Sequence, residues 1–201
     1  MLTICEDSSL VVDRLCDRSR GKNTAVGCFY SDFEARKGQS AASMLGSMLR
    51  QMVNGMERIP DEISRAFQEQ KKAIGGRNPQ LPDIVRMLQL ITSSQQTFMC
   101  IDALDACTGV QRFKLSDSLN QILEKSPRMQ IFLTGRPHIR AEVEKRLAQR
   151  VVSVPISPTK GDIIRYLRSG LDEDETPDAM EEILEAHILE KIPERILETF
   201  V

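Results

Sequence analysis

The hydrophobic pattern of the chain alternates between short apolar runs and longer segments with helical spacing. Three runs are predominantly apolar, as expected of strands that are buried on both faces of a sheet: residues 24–30, 97–102 and 129–134. A fourth, shorter run over residues 151–155 is predicted as a last strand. Because strands that alternate with helices require crossover connections, the pattern predicts an α/β fold with a parallel sheet and helices on both faces.

The segments between these runs carry apolar residues at intervals of three and four. The widest stripe follows Ser40, a suitable helix cap, and consists of Met44, Leu45, Met48, Leu49, Met52 and Val53. Other helices are predicted over residues 10–20, 61–74, 82–91, 113–124, 139–148 and 162–171. After an acidic segment broken by Pro177, two more are predicted over residues 179–192 and 193–201. We therefore expect a main domain over residues 1–171, and an acidic linker with the start of a helical extension over residues 172–201.

Composition and charge narrow the function classes. The 201 residues are 41% hydrophobic and 28% charged, which is typical of a soluble globular domain. A net charge of -2 without a basic stripe argues against nucleic acid as a partner. The five cysteines form no CxxC pair, which favours buried thiols in a reducing compartment. No apolar run approaches the ~20 residues that span a bilayer, and the first residues do not read as a targeting peptide, so we expect a cytoplasmic protein without membrane contact.

Candidate chemistry begins with two acidic residues at the end of the second predicted strand. Asp102 closes an apolar run, and the carboxyl ends of parallel strands are where open α/β sheets bind ligands. In a P-loop NTPase such an aspartate holds Mg²⁺, and a second acid just beyond it can orient the attacking water. Asp102 is therefore a candidate metal ligand and Asp105 a candidate catalytic residue. The alternative is that these aspartates only cap a turn or a helix.

An arginine follows the third predicted strand, in the sequence Leu133-Thr134-Gly135-Arg136-Pro137. A guanidinium at this position can bind a terminal phosphate as a bidentate donor, which makes Arg136 a candidate for cofactor binding. The alternative is an ordinary surface arginine near a strand end. The position of Arg136 one strand–helix unit after Asp102 favours the phosphate role.

Taken together, these residues resemble the NACHT-type (STAND class) P-loop NTPases, close to the nephrocystin-like N-terminal domain of fungal NLR-like proteins that carry ankyrin or other repeats. The similar stretches are FYSDF (29–33), IPDEI (59–63), TFMCIDALDAC (97–107), LSDSLNQIL (115–123), IFLTGRPH (131–138) and ISPT (156–159). The resemblance implies that Asp102 is the Walker B magnesium aspartate, Asp105 the second acid of the extended motif and Arg136 the sensor arginine. It also implies Mg²⁺ and ATP or GTP as cofactors of the intact family.

The chain departs from the family in two respects. It has Ala106 where the family commonly has an acid, and it contains no G-x-x-x-x-G-K-[ST] phosphate-binding loop. The segment Arg20-Gly21-Lys22-Asn23 is a poor substitute, because it lacks the hydroxyl residue and precedes a predicted strand instead of a helix. By the family's layout we expect the first strand and the P-loop to lie upstream of Met1, and more helix to follow Leu197.

The expected function follows from these departures. The chain is expected to be a fragment of a signal-transduction NTPase, a nucleotide-dependent switch or oligomerisation module, that neither binds nor hydrolyses NTP by itself and holds no cofactor. The alternative is a nucleotide-independent protein-interaction module that pairs through its face at residues 44–56 or its last helices. Protein partners or self-association are expected in either case. For the methionine stripe, ordinary helix-on-sheet packing is the competing interpretation.

The resemblance has a structural consequence for the sheet. In the family the first strand lies between the sensor strand, here residues 129–134, and the last strand, here residues 151–155. Without it, either these two strands close up or both expose apolar edges that invite aggregation. We therefore expect marginal solubility of the isolated chain.

Overall fold

The computed structural model describes residues 5–35, 38–56, 59–72, 79–147, 151–154, 156, 158–172 and 182–199. The strands are β1 (Thr24–Tyr30), β2 (Gln96–Asp102) and β3 (Met129–Leu133). The α-helices are α1 (Cys5–Ser19), α2 (Ala41–Asn54), α3 (Asp61–Lys72), α4 (Leu81–Ser94), α5 (Gly109–Lys125), α6 (Arg140–Leu147), α7 (Lys160–Asp172) and α8 (Glu182–Thr199). Short 3₁₀ helices, Leu104–Ala106 and Pro137–Ile139, follow β2 and β3.

The chain divides into two compact units, Met1–Val151 and Val152–Val201. The first unit contains the whole sheet and helices α1 to α6, and the second contains α7 and α8. The domain boundary predicted at residue 171 stays a prediction. Among the described residues, no helix has both the length and the apolar character needed to cross a membrane.

The sheet has the strand order β1-β2-β3, and both strand pairs are parallel. Thr24 lies opposite Gln96 and Tyr30 opposite Asp102, so β1 and β2 begin and end together. The predicted α/β fold with a parallel sheet is confirmed. Because every pair is parallel, the carboxyl ends of all three strands meet at one edge of the sheet, which we call the carboxyl edge.

Helices cover both faces of the sheet, as predicted. On one face, Gly27 of β1 lies so close to α2 that an added Cβ would be 2.8 Å from Met52 Cε and 3.2 Å from Met48 Cβ. The next residue, Cys28, points to the opposite face, since successive side chains alternate along a strand. Helix α1 packs against β1 and β2, and burial, together with the nearby thiol of Cys16 in α1, raises the pKa of Cys28. Helix α1 therefore covers the face opposite α2.

The core lies between the sheet and helices α2, α4 and α5. Ser40 caps α2 in a capping box with Ser43, as the sequence indicates. Five of the six residues of the predicted stripe are buried, Met44 and Met48 among them at 0% exposed, and Val53 is half-buried. Helices α4 and α5 add Ile84, Met87, Leu88, Ile91, Leu115, Leu119 and Ile122 to the same cluster. The methionine stripe is therefore core packing, and a role for it as an interaction surface is wrong.

The predicted fourth strand is wrong. Residues 151–154 form no strand, and Pro155 lies outside the described residues. Val152 is 88% and Val154 71% exposed. Valine-rich composition favours a strand only where a neighbouring strand accepts its hydrogen bonds, and β-propensity depends on that context. Within the described chain, β3 pairs with β2 alone, so residues 151–154 do not pair with β3 as a strand.

The two helices predicted at the end of the chain form one helix. Helix α8 continues through Pro193, where the sequence predicts a break. The φ of proline is compatible with a helix, and its missing N–H removes only one backbone hydrogen bond. A helix can therefore continue through proline with a local kink when the flanking residues favour helix. Residues 173–181, which include most of the predicted acidic linker and the start of the helix predicted over residues 179–192, lie outside the described residues.

Candidate functional site

Asp102 is the last residue of β2 and lies at the carboxyl edge of the sheet. It is 4% exposed, which is unusual for a carboxylate. The backbone N–H of Ser31, directly after β1, donates to the carbonyl of Asp102 over 3.1 Å. The hydroxyl of Thr134, directly after β3, donates to Asp102 Oδ1 over 2.5 Å. The residues that directly follow β1 and β3 thus both form a hydrogen bond with Asp102.

Thr134 connects the end of β2, which bears Asp102, to the turn that bears Arg136. Its backbone N–H donates to the carbonyl of Ile101 over 3.0 Å, and its carbonyl accepts from Leu104 over 2.9 Å. Its hydroxyl accepts from the backbone N–H of Ala103 over 2.9 Å while it donates to Asp102. Sequence reasoning did not single out Thr134. The available signal was its position as the last residue of the predicted third strand, at the carboxyl end where Asp102 closes the second.

Ala103 turns the chain away from β2 in an unfavourable backbone conformation. Its φ of 50° and ψ of 49° lie in the left-handed region, which costs a residue with a Cβ about 1–2 kcal/mol. Such strain persists where surrounding bonds over-determine the backbone, and it clusters at functional sites. Here the bond from Ala103 to Thr134 holds the turn. The turn leads directly into the 3₁₀ helix that carries Asp105.

Asp105 and Arg136 pair with each other at the carboxyl edge. Asp105 Oδ1 accepts the backbone N–H of Arg136 over 3.1 Å, and Asp105 Oδ2 lies 3.3 Å from Arg136 Nε. The Asp105 side chain is 14% exposed, whereas that of Arg136 is 73% exposed. An ion pair this exposed stabilises the fold by no more than about 1 kcal/mol, so a stronger ligand can displace the guanidinium.

The carboxyl edge therefore brings together all three residues that the sequence singled out. The profile of the family described as nephrocystin 3, N-terminal, matches residues 8–136, more than half of the chain. The chain belongs to the nephrocystin 3 N-terminal domain family. The matched region includes Asp102 and Asp105 and ends at Arg136. Searches of curated proteins and of solved structures gave no match.

The carboxyl edge of this nephrocystin 3 N-terminal domain offers few metal ligands. In the described part of the chain, no three or more His, Cys, Asp or Glu side chains are grouped so as to hold a metal ion. Mg²⁺ usually takes one or two carboxylates together with water and phosphate oxygens. The buried Asp102 fits the part of one such carboxylate, whereas Asp105 is engaged by Arg136. A single buried carboxylate is compatible with a magnesium ion whose remaining ligands are water and phosphate oxygens.

The segment from Arg20 to Asn23 lies at the other end of the sheet. Lys22 and Asn23 precede β1, and Thr24 lies opposite Gln96 at the start of β2. Because β2 has seven residues and a strand rises about 3.3 Å per residue, roughly 20 Å separates this end from Asp102. In this domain the segment is therefore not a phosphate loop for the carboxyl edge.

Three of the thiols of this domain, those of Cys28, Cys100 and Cys107, are unsuited to nucleophilic chemistry. The predicted strand cysteines Cys28 and Cys100 lie on β1 and β2, and both are free, as is Cys107 beside the carboxyl edge. Burial raises the pKa of Cys100 to about 11. Burial also raises the pKa of Cys107, although its hydrogen bond with Ser31 acts in the opposite direction. A nucleophilic cysteine needs a lowered pKa and access to solvent, so these thiols belong to the packing of the domain.

Proposed function

We propose that this domain is part of a NACHT-type signal-transduction NTPase and works there as a nucleotide-dependent switch or oligomerisation module. The observation that carries the proposal is the bond between Thr134 and Asp102. It couples the strand end that would hold magnesium to the turn that bears Arg136. A change at the phosphate can therefore reach both strands through one hydroxyl group.

Each candidate residue has a role in this proposal. Asp102 would hold Mg²⁺ through water at the end of β2, and a bound magnesium ion would offset the charge of the nucleotide phosphates. Arg136 would leave Asp105 and bind the terminal phosphate with its guanidinium. Released from that pair, Asp105 could orient a water molecule toward the phosphate. The pairing of Asp105 with Arg136 supports a resting arrangement in which both groups are held until phosphate arrives.

The chain by itself is expected to lack nucleotide affinity. Tight binding of NTP phosphates needs backbone N–H groups and a lysine in a glycine-rich loop at a helix N-terminus. No G-x-x-x-x-G-K-[ST] occurs in the 201 residues. With phosphate oxygens absent, one or two carboxylates bind magnesium weakly, so a divalent cation should occupy the site only at roughly millimolar concentration.

Manganese mapping by NMR tests the proposed metal role directly. Mn²⁺ replaces Mg²⁺ at oxygen sites, and it broadens nearby amide signals through its unpaired electrons. We expect millimolar Mn²⁺ to broaden the Ala103 and Thr134 signals of the native chain. Asp102→Asn should abolish that broadening.

The matched control is Asp117→Asn, which removes an exposed carboxylate from α5. Asp117 accepts a hydrogen bond from Gln121 within the same helix, away from the end of β2, so its loss should leave the Mn²⁺ effect unchanged. Equal broadening of Ala103 and Thr134 in the native chain and in Asp102→Asn would rule out Asp102 as a metal ligand.

The interaction module has less support as a second function. Its main surface, the stripe of α2, is buried in the core. Of the two faces predicted for this module, the last helices remain, where Leu184 and Ile192 of α8 are exposed apolar residues. Sedimentation at micromolar concentration distinguishes the nucleotide-dependent switch from the interaction module. Tight self-association without nucleotide is expected only of the interaction module.

A further inference from the structure

The amino-terminal ends of the strands enclose a polar groove of about 500 Å³, which we call the basic groove. Two cations from different loops line it, Lys22 before β1 and Arg128 before β3. The uncharged polar side chains on its walls are Asn23, Thr24, Gln96 and Gln130. No residue among its described lining carries a carboxylate. The groove is thus positively charged and rich in hydrogen-bond donors.

The Lys22 side of the groove rests on a tight turn after α1. The backbone N–H of Lys22 donates to the carbonyl of Ser19 over 3.0 Å, and that of Thr24 donates to Lys22 over 2.8 Å. Gly21 adopts a φ of 70°, a conformation that favours glycine. The backbone of Lys22 is therefore fixed, and its exposed side chain can turn toward a ligand.

The Arg128 side is fixed in a similar way. The carbonyl of Arg128 accepts from the backbone N–H of Thr97 over 3.3 Å, which ties the turn to β2. The next residue, Met129, donates to the carbonyl of Ser126 over 3.0 Å. Neither Lys22 nor Arg128 forms an ion pair with another residue that the structure describes.

Cations near helix C-termini often serve only to offset the helix dipole. Helices α1 and α5 both end near this groove, but each already has a basic residue in its last turn, Arg18 and Lys125. The dipole effect falls off beyond the last turn. Lys22 and Arg128 each lie three residues past the end of their helix. Lys22 and Arg128 are therefore not needed to offset the helix dipoles, and their charges remain available to a ligand.

We propose that the basic groove binds a small polyanion of the oligophosphate class. The Arg128 guanidinium can bind two phosphate oxygens at once, and Lys22 supplies a second positive charge across the groove. A volume of about 500 Å³ lies within the range of small-ligand sites and exceeds what a single phosphate fills. The ligand can be free pyrophosphate or the phosphate chain of a nucleotide. This site is independent of the carboxyl edge, roughly 20 Å away along the strands.

An NMR titration of the 201-residue chain at low salt tests the proposal. The probes are inorganic phosphate, pyrophosphate and ADP, each added to separate samples. We expect pyrophosphate to shift the amide signals of the groove residues, with a dissociation constant on the order of 1 mM or tighter. Inorganic phosphate, with a single phosphate group, should bind more weakly than pyrophosphate. Because the groove residues are exposed, 0.3 M added salt should weaken binding, as screening predicts.

Two double variants distinguish specific binding in the groove from nonspecific attraction of anions to a charged surface. Lys22→Ala with Arg128→Ala should weaken pyrophosphate binding about tenfold or more. The matched control, Lys114→Ala with Lys145→Ala, removes the same charge from exposed positions outside the groove and should change affinity less than twofold. Thermal unfolding curves of both variants verify that the fold is retained.

The outcomes are distinguishable from those of the proposed function. Groove shifts with both pyrophosphate and ADP support the site and make nucleotides a source of the ligand, whereas groove shifts with pyrophosphate alone point to free oligophosphate. The proposal is overturned if no anion shifts the groove signals. It is equally overturned if the groove variant binds as tightly as the control variant. Shifts of Ala103 and Thr134 report on the carboxyl edge and leave the groove result unaffected.

Discussion

At the scale of single residues, the candidate site depends on a few bonds between strand ends. Thr134 both donates to Asp102 and accepts from Ala103, so one hydroxyl group holds a carboxylate and a strained turn. Asp105 binds the backbone and the side chain of Arg136. The site therefore consists of side chains held in place by neighbours that are distant in sequence.

The strain at Ala103 gives a residue-scale prediction. Ala103→Gly removes the Cβ that makes the left-handed conformation cost about 1–2 kcal/mol, and glycine's greater freedom in the unfolded chain offsets about 0.5–1 kcal/mol. We expect the free energy of unfolding to rise by about 0.5–1 kcal/mol. Chemical denaturation measures it, with Ala42→Gly in helix α2 as the control that should lose about 1 kcal/mol. A destabilised Ala103→Gly variant would contradict the assignment of strain.

At the scale of elements, the close approach of α2 to β1 organises one face of the sheet. Gly27 permits that approach, because an added Cβ would meet Met48 Cβ at 3.2 Å and Met52 Cε at 2.8 Å. Met52 Cε is the end of a flexible side chain, but Met48 Cβ is fixed to the helix backbone. The packing of α2 on the sheet therefore depends on the absence of a side chain at this position.

Two glycine variants test this packing in opposite directions. Gly27→Ala should lower the free energy of unfolding by about 1–3 kcal/mol, because helix α2 must shift. Gly46→Ala, within helix α2, would place its Cβ in ordinary contact 3.5 Å from Ile84 Cδ1. It should raise stability by about 0.5–1 kcal/mol, because alanine restricts the unfolded chain and favours helix. Equal effects of the two variants in denaturant unfolding would show that Gly27 is not a packing constraint.

At the scale of the whole molecule, the length of the strands separates the candidate acids from the cations of the basic groove. Asp102 and Asp105 lie at the carboxyl edge, and Lys22 and Arg128 lie at the opposite end of the strands. A lysine that cradles phosphate must act on the same phosphate as the magnesium aspartate. The cations of the basic groove are too far from Asp102 for that.

The same separation predicts the behaviour of the isolated chain in an NTPase assay. Loss of even one preorganised electrostatic donor costs roughly a hundred- to thousandfold in turnover, and here a whole phosphate loop is lacking from the sequence. We expect no phosphate release from ATP or GTP above that of an Asp102→Ala sample. Turnover that disappears in Asp102→Ala would show that the carboxyl edge is sufficient for hydrolysis.

The sequence by itself determined the elements and the place of the candidate acids. Apolar runs predicted the three strands, and the stripe after Ser40 predicted α2, because burial of a strand or of a helix face leaves a periodic trace in the local sequence. Asp102 could be placed at a strand end for the same reason. Its partner Thr134 could not, because only the parallel register brings the end of β3 beside the end of β2.

Tertiary structure alone decided the features that depend on neighbours. Residues 151–154 have the composition of a strand but form none, since a strand exists only with a partner that accepts its hydrogen bonds. The pairing of Asp105 with Arg136 depends on two turns that lie about thirty residues apart and meet at one edge. Local sequence fixes what a segment can form. Which segments become neighbours is settled by packing of the whole chain.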